Sequence, residues 1–134
     1  MWASGYEVYD RLSGPFQRLL EGLTATFSQQ ALNQLAQAKG MTIFEGPRGS
    51  PDNVGTAMKA VHPVVRTHPV TGWKSVFAGG THCQRINNVT SKESEYLVDK
   101  VMQLIVENHD LQVRFRWENV GDLGTLCFAL NTSV

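Results

Sequence analysis

The chain has 134 residues, 12 Lys+Arg and 12 Asp+Glu, so its formal net charge is zero, and 42% of it is hydrophobic. That length fits one domain of the usual roughly 100–200 residues, and that apolar content excludes a wholly disordered chain. The balanced charge excludes a polybasic nucleic-acid binder, and the longest apolar run, Leu126–Leu130, is far short of the roughly 20 residues that span a bilayer.

Met1-Trp2-Ala3-Ser4-Gly5-Tyr6-Glu7 has no basic stretch followed by an apolar one, so no signal peptide is expected. The two cysteines, Cys83 and Cys127, match no CxxC pattern. These features lead to the expectation of a soluble, cytoplasmic protein with free thiols. The sequons at Asn88 and Asn131 are read as chance occurrences.

Residues 5–22 read as helical, with Tyr6, Val8, Tyr9 and Leu12 as a first apolar stripe. Ser13-Gly14-Pro15 interrupts it, and Pro15 suits the first turn of a second helix carrying Phe16, Leu19, Leu20 and Leu23. Gly22 is the expected stop. A further helix is expected over 28–39, with Ser28 as N-cap and Ala31, Leu32, Leu35 and Ala36 on one face. Residues 45–56, rich in Gly, Pro, Asp and Asn, read as a loop.

Val61–Thr67 and Trp73–Phe77 read as a hairpin about the turn Pro69-Val70-Thr71-Gly72. Residues 91–108 form the clearest helix: Thr90 and Glu93 make a capping box ahead of the stripe Leu97, Val98, Val101, Leu104 and Ile105. Leu111–Trp117 alternates apolar with polar residues as a half-buried strand does, and Leu123–Leu130 reads as a weaker strand. Strands with helices inserted among them make an α+β, mainly β, domain.

The residues alone assemble no active site. His62, Val64, Arg66 and His68 share a face if their strand is regular, but His62 and His68 then stand roughly 20 Å apart and cannot hold one ion. No His precedes an Asp or Glu by two residues, and no P-loop, GxGxxG, GxSxG or HExxH motif occurs. His82 adjoins Cys83, but sequence neighbours usually point apart, so a Cys–His pair is not favoured. Arg114 and Arg116, near Trp117, have the chemistry to meet a phosphate, carboxylate or sulfonate, although a solvated face is the commoner role.

One stretch is more specific than these. His62-Pro63-Val64-Val65-Arg66-Thr67-His68-Pro69-Val70-Thr71-Gly72, continuing to Phe77, resembles the signature hairpin of the taurine/2,4-D dioxygenase (TauD/TfdA-like) family. Tyr9–Leu23 (YDRLSGPFQRLLEGL), Ser91–Leu97 (SKESEYL) and Glu107–Trp117 (ENHDLQVRFRW) resemble further family segments in order, most like those of fungal sulfonate dioxygenases. The resemblance covers about 1–27 and 57–123, and makes 1–134 a single partial domain with 28–56 as a variable insert or loop region.

The resemblance implies a partial double-stranded β-helix, a jelly roll. In the family, two histidines and one carboxylate bind Fe(II). 2-Oxoglutarate and O₂ complete the iron's surroundings, and a sulfonate once hydroxylated loses sulfite. Aligned this way, the family's H-x-D segment lies upstream of Trp2, and the threonine that holds 2-oxoglutarate lies before Met1. After Gly121-Asp122-Leu123 the family's Trp-Asp-Asn is replaced. Asn131-Thr132-Ser133-Val134 resembles a remnant of the stretch before the distal His, with the arginine that binds 2-oxoglutarate later still.

No catalytic residue and no metal ligand carries over. His82 stands where relatives place an aromatic side chain near the substrate pocket, and is the one substrate-binding candidate. His62, Arg66 and His68 are read as structural. The resemblance thus implies part of an Fe(II)/2-oxoglutarate dioxygenase acting on a small anion, with neither cofactor bound tightly by this chain. The alternative is a non-catalytic interaction or regulatory module of that fold. Exposed strand edges would invite self-association; nucleic acid and membrane are not expected partners.

Overall fold

The computed structural model describes residues 2–114. The elements run β1 (Trp2–Ala3), α1 (Gly5–Asp10), α2 (Gly14–Glu21), β2 (Thr24–Ser28), α3 (Gln30–Ala38), β3 (Lys59–Pro63), β4 (Val65–Thr67), β5 (Lys74–Val76), β6 (Cys83–Ile86), α4 (Ser91–Glu107), a 3-10 turn (His109–Leu111) and β7 (Gln112–Val113). Among the described residues the strands pair antiparallel as β1-β7, β3-β2-β6 and β4-β5. Helices and sheets are therefore mixed, as the α+β expectation has it.

Local chemistry accounts for the helix ends. Ser4 Oγ accepts from Glu7 N at 3.3 Å and starts α1. Pro15 lies in the first turn of α2, where its missing N–H costs nothing. At α4 the Thr90 hydroxyl accepts from Glu93 N while Thr90 N donates to Glu93 Oε2 at 2.8 Å, so two otherwise orphaned donors are satisfied. The buried face of α4 is Ser94, Leu97, Val101 and Ile105. It joins Val8, Leu20, Val64 and Ile86 in one core.

Several expectations are corrected. Val61–Thr67 is not one strand. β3 pairs with β2 as far as Pro63↔Thr24, and β4 pairs with β5 from Val65↔Val76. Between them Val64, wholly buried, donates to Leu23 O at 3.0 Å and accepts from Phe77 N at 2.7 Å. The chain passes from one sheet to the other at that residue, so the regular strand face proposed for His62 through His68 does not exist.

Thr24–Ser28 and Cys83–Ile86, unassigned in sequence, are strands. Ser28 ends β2 rather than capping α3, for which Gln29 is the N-cap; the Ser28 hydroxyl still accepts from Gln30 N at 3.2 Å. Residues 111–117 were expected as one strand, but Leu111 closes the 3-10 turn and only Gln112–Val113 pairs among the described residues. The expected strand 123–130, with Arg116, Trp117 and Cys127, lies outside the described residues. Among those described, no helix is long and apolar enough to cross a membrane.

The hairpin and helices are clasped by polar groups. The Tyr9 hydroxyl donates to Glu21, and Lys74 Nζ reaches the same carboxylate at 3.0 Å. Arg11 binds Asp110 through both terminal nitrogens and Asn108 at 3.1 Å, tying α1 to the 3-10 turn.

Candidate functional site

The hairpin's polar side chains converge on Phe77. The Arg66 guanidinium lies 3.7 Å from the centre of that ring. Arg66 Nη2 is 3.0 Å from His62 Nδ1. Arginine has no acceptor, so in this contact the guanidinium donates and His62 Nδ1 accepts. Phe27 packs tilted on both His62 and Phe77, with ring centres 5.5 and 5.2 Å away. His68 serves the turn instead: its Nδ1 accepts from Val70 N and Thr71 N, both at 3.2 Å. His62, Arg66 and His68 thus have local partners.

Phe27 also forms part of an open cleft of about 380 Å³ between β2, β3, the start of α3 and the 45–56 loop. Leu32 and Met58 add apolar surface, while Gln29, Arg48, Lys59 and His82 supply polar groups; among the described residues no Asp or Glu lines it. His82 is exposed, and its backbone carbonyl accepts from Ser28 N at 3.0 Å, which fixes it beside β2.

Arg48 organises the loop: Nη1 donates to Phe44 O at 3.2 Å and Nη2 to Gly55 O at 2.6 Å. Gly55 sits at φ +77°, a conformation glycine adopts without steric penalty. Arg48 Nε and Gln29 Nε2 are nonetheless buried with no hydrogen-bond partner. A buried donor left unpaired costs about 1–3 kcal/mol, so each calls for an explanation.

Sequence reasoning reached His82 through a resemblance but missed Gln29 and Arg48. Arg48 carried a weak signal, as the one cation of the Gly/Pro-rich stretch 45–56. Gln29 carried none.

The other candidates are not brought together. Cys83 is buried, and burial pushes its thiol up, away from the thiolate a nucleophile needs. Arg114 lines a separate, smaller cleft with Trp2, Ile105 and His109. Among the described residues no group of three or more His, Cys, Asp or Glu is placed to hold a metal ion. The described residues therefore do not fit an iron site, and no step through iron follows from them.

The arrangement of helices and sheets is shared with dioxygenases of known structure. A taurine dioxygenase from Burkholderia xenovorans matches at a TM-score of 0.62 and 25% identity, over 87% of this chain and 34% of that one. The chain belongs to the taurine catabolism dioxygenase TauD, TfdA family, which it matches over residues 1–134.

Among relatives, it is 56% identical over 123 residues to the alpha-ketoglutarate-dependent dioxygenase oryG of Aspergillus oryzae, covering 92% of this chain and 36% of that protein. It is 30% identical over 118 residues to an alpha-ketoglutarate-dependent sulfonate dioxygenase of Saccharomyces cerevisiae, covering 88% of this chain and 26% of that protein. The chain spans about a third of the length of the first three curated relatives it matches.

Proposed function

We propose that this chain is a single partial domain, residues 1–134, of an Fe(II)- and 2-oxoglutarate-dependent dioxygenase that hydroxylates a small sulfonate or related anion. The domain is of the double-stranded β-helix (jelly-roll) type, with 28–56 as its variable segment. The observation that carries the reading is the family match along the whole chain, reinforced by 56% identity to the Aspergillus oryzae dioxygenase.

Two observations support an anionic substrate. The Saccharomyces cerevisiae relative is a sulfonate dioxygenase. The cleft beside His82 carries Arg48 and Lys59 and, among the described residues, no carboxylate. In this reading His82 faces the substrate as a hydrogen-bond donor in place of an aromatic contact. In this reading the family's iron ligands have no counterpart in this chain, so the chain alone holds neither iron nor 2-oxoglutarate tightly. Bound iron and 2-oxoglutarate would activate O₂, which supplies the oxidising power, and this chain's part is to seat the anion.

A chimera tests the reading. The matching 123 residues of the Aspergillus oryzae protein are replaced by those of this chain. Iron-dependent conversion of 2-oxoglutarate to succinate is expected. A folded chimera that leaves 2-oxoglutarate untouched would overturn the proposal.

A further inference from the structure

We propose that Met58 is a modification site: a peroxide oxidises its thioether, and the sulfoxide locks the 45–56 loop through Arg48. The inference goes beyond the dioxygenase reading and does not rest on it.

The loop hangs on one guanidinium. Arg48 Nη1 donates to Phe44 O and Nη2 to Gly55 O, so a single side chain spans both ends of the loop. Its backbone is tied in as well: Arg48 N donates to Asn53 O at 3.1 Å, and Asn53 Nδ2 to Arg48 O at 2.9 Å. The guanidinium's third partner is Met58, whose Sδ accepts from Nη2 at 3.2 Å. A thioether sulfur is a weak acceptor, so this is the weakest arm of the latch. On the same guanidinium, Nε is buried with no partner among the described residues. A charged donor group thus has one poor acceptor and one unmet N–H.

Oxidation improves that arm. The sulfur lone pair attacks one oxygen of hydrogen peroxide, and the O–O bond breaks as the S–O bond forms. Sulfur gives up two electrons, and the other oxygen leaves as water. The product carries a polar oxygen on a side chain already touching the guanidinium, and a bond from a charged donor is roughly twice as strong as a neutral one. Met58 is 39% exposed and lines the open cleft, which gives peroxide its approach. Three rotatable bonds let the sulfur draw back by the length of the new bond. The Met58 backbone stays fixed, because its carbonyl accepts from Gln29 N at 3.1 Å. The sulfur of Met102, by contrast, accepts from the backbone N–H of Gly80, a neutral donor.

Trypsin reads the latch directly. Arg48 is the one Lys or Arg in 45–56, and cleavage after it requires its side chain to leave these contacts for the protease. The full 134-residue chain is treated with hydrogen peroxide, and oxidation of each methionine is followed by mass spectrometry. Brief tryptic cleavage of the Arg48–Gly49 bond is then measured against that of the Lys39–Gly40 bond. Oxidation of Met58 should slow the Arg48 cut about tenfold relative to the Lys39 cut, since proteolysis follows the population of the open form. Met58→Leu should not respond to peroxide. It keeps Met41, Met102 and both cysteines, so a response through any of those would persist in it. Met58→Gln, with an amide oxygen at similar reach, should be slow before any peroxide is added.

A peroxide response that survives in Met58→Leu would overturn the inference, as would an unchanged or faster Arg48 cut once Met58 is oxidised. So would a Met58 that stays reduced while Met41, 53% exposed, is oxidised, or an untreated Met58→Gln cut as fast as the parent.

Discussion

Replacing Ser94 by alanine should loosen β6 from α4. Ser94 is 5% exposed, and its Oγ accepts from Ile86 N at 2.8 Å. Among the described residues β6 is an edge strand of its sheet, and Asn87 N already donates to Thr24 O at 2.7 Å. Because hydrogen-bonded and non-bonded pairs alternate along an antiparallel ladder, the Ile86 N–H turns away from β2, and among the described residues it meets Ser94. Alanine opens almost no cavity, so the loss is that of one buried donor left unpaired, about 1–3 kcal/mol. For a domain of this size a 2 kcal/mol loss lowers Tm by about 6–10 °C. Urea unfolding should show a lower midpoint at an unchanged slope. Gln103→Ala, on the exposed face of the same helix, should stay within about 0.5 kcal/mol. A Ser94→Ala loss as small as that control's would mean that the hydroxyl does not hold the strand, and the reasoning would fail.

Thr90→Ala removes the N-cap of α4 and should cost about 1 kcal/mol in the same urea assay. Acid should destabilise the fold through two clasps. The Tyr9 hydroxyl and Lys74 hold the Glu21 carboxyl below its ordinary range, and Arg11 does the same for Asp110. A carboxyl whose folded pKa is depressed contributes above its unfolded pKa, about 4, and that contribution is lost as pH falls through the folded value. Urea midpoints taken from pH 6 downward should therefore drop below about pH 4, and Glu21→Gln should flatten that limb.

Helix α4 was legible because its signals agree: a T-x-x-E box precedes an apolar stripe at helical spacing. The break at Ser13-Gly14-Pro15 was equally legible, because proline belongs in a first turn. The two overlooked strands gave weaker signals: Thr24–Ser28 does alternate polar with apolar, but over five residues only. In Thr24–Ser28 the apolar residues are only Ala25 and Phe27, directly after a helical stripe ending at Leu23. In Cys83–Ile86 the ends are buried and the middle exposed, against a pairing whose register shifts between Thr26 and Phe27, so period-two alternation is lost. Val61–Thr67 was read as continuous although Pro63, which has no N–H to give a ladder, stands directly before the change of sheet at Val64. The cleft was hidden for a different reason. Gln29, Arg48, Lys59 and His82 come from four separate segments that meet only once β2 is flanked by β3 and β6. His82 alone could be singled out, by likeness to a family position.

Anaerobic titration of Fe(II), with and without 2-oxoglutarate, into the 134-residue chain and the chimera side by side tests the central claim most directly. The account predicts iron binding strengthened by 2-oxoglutarate in the chimera and none in the chain alone. Micromolar, 2-oxoglutarate-dependent iron binding by the isolated chain, or its loss from a folded chimera, would contradict it.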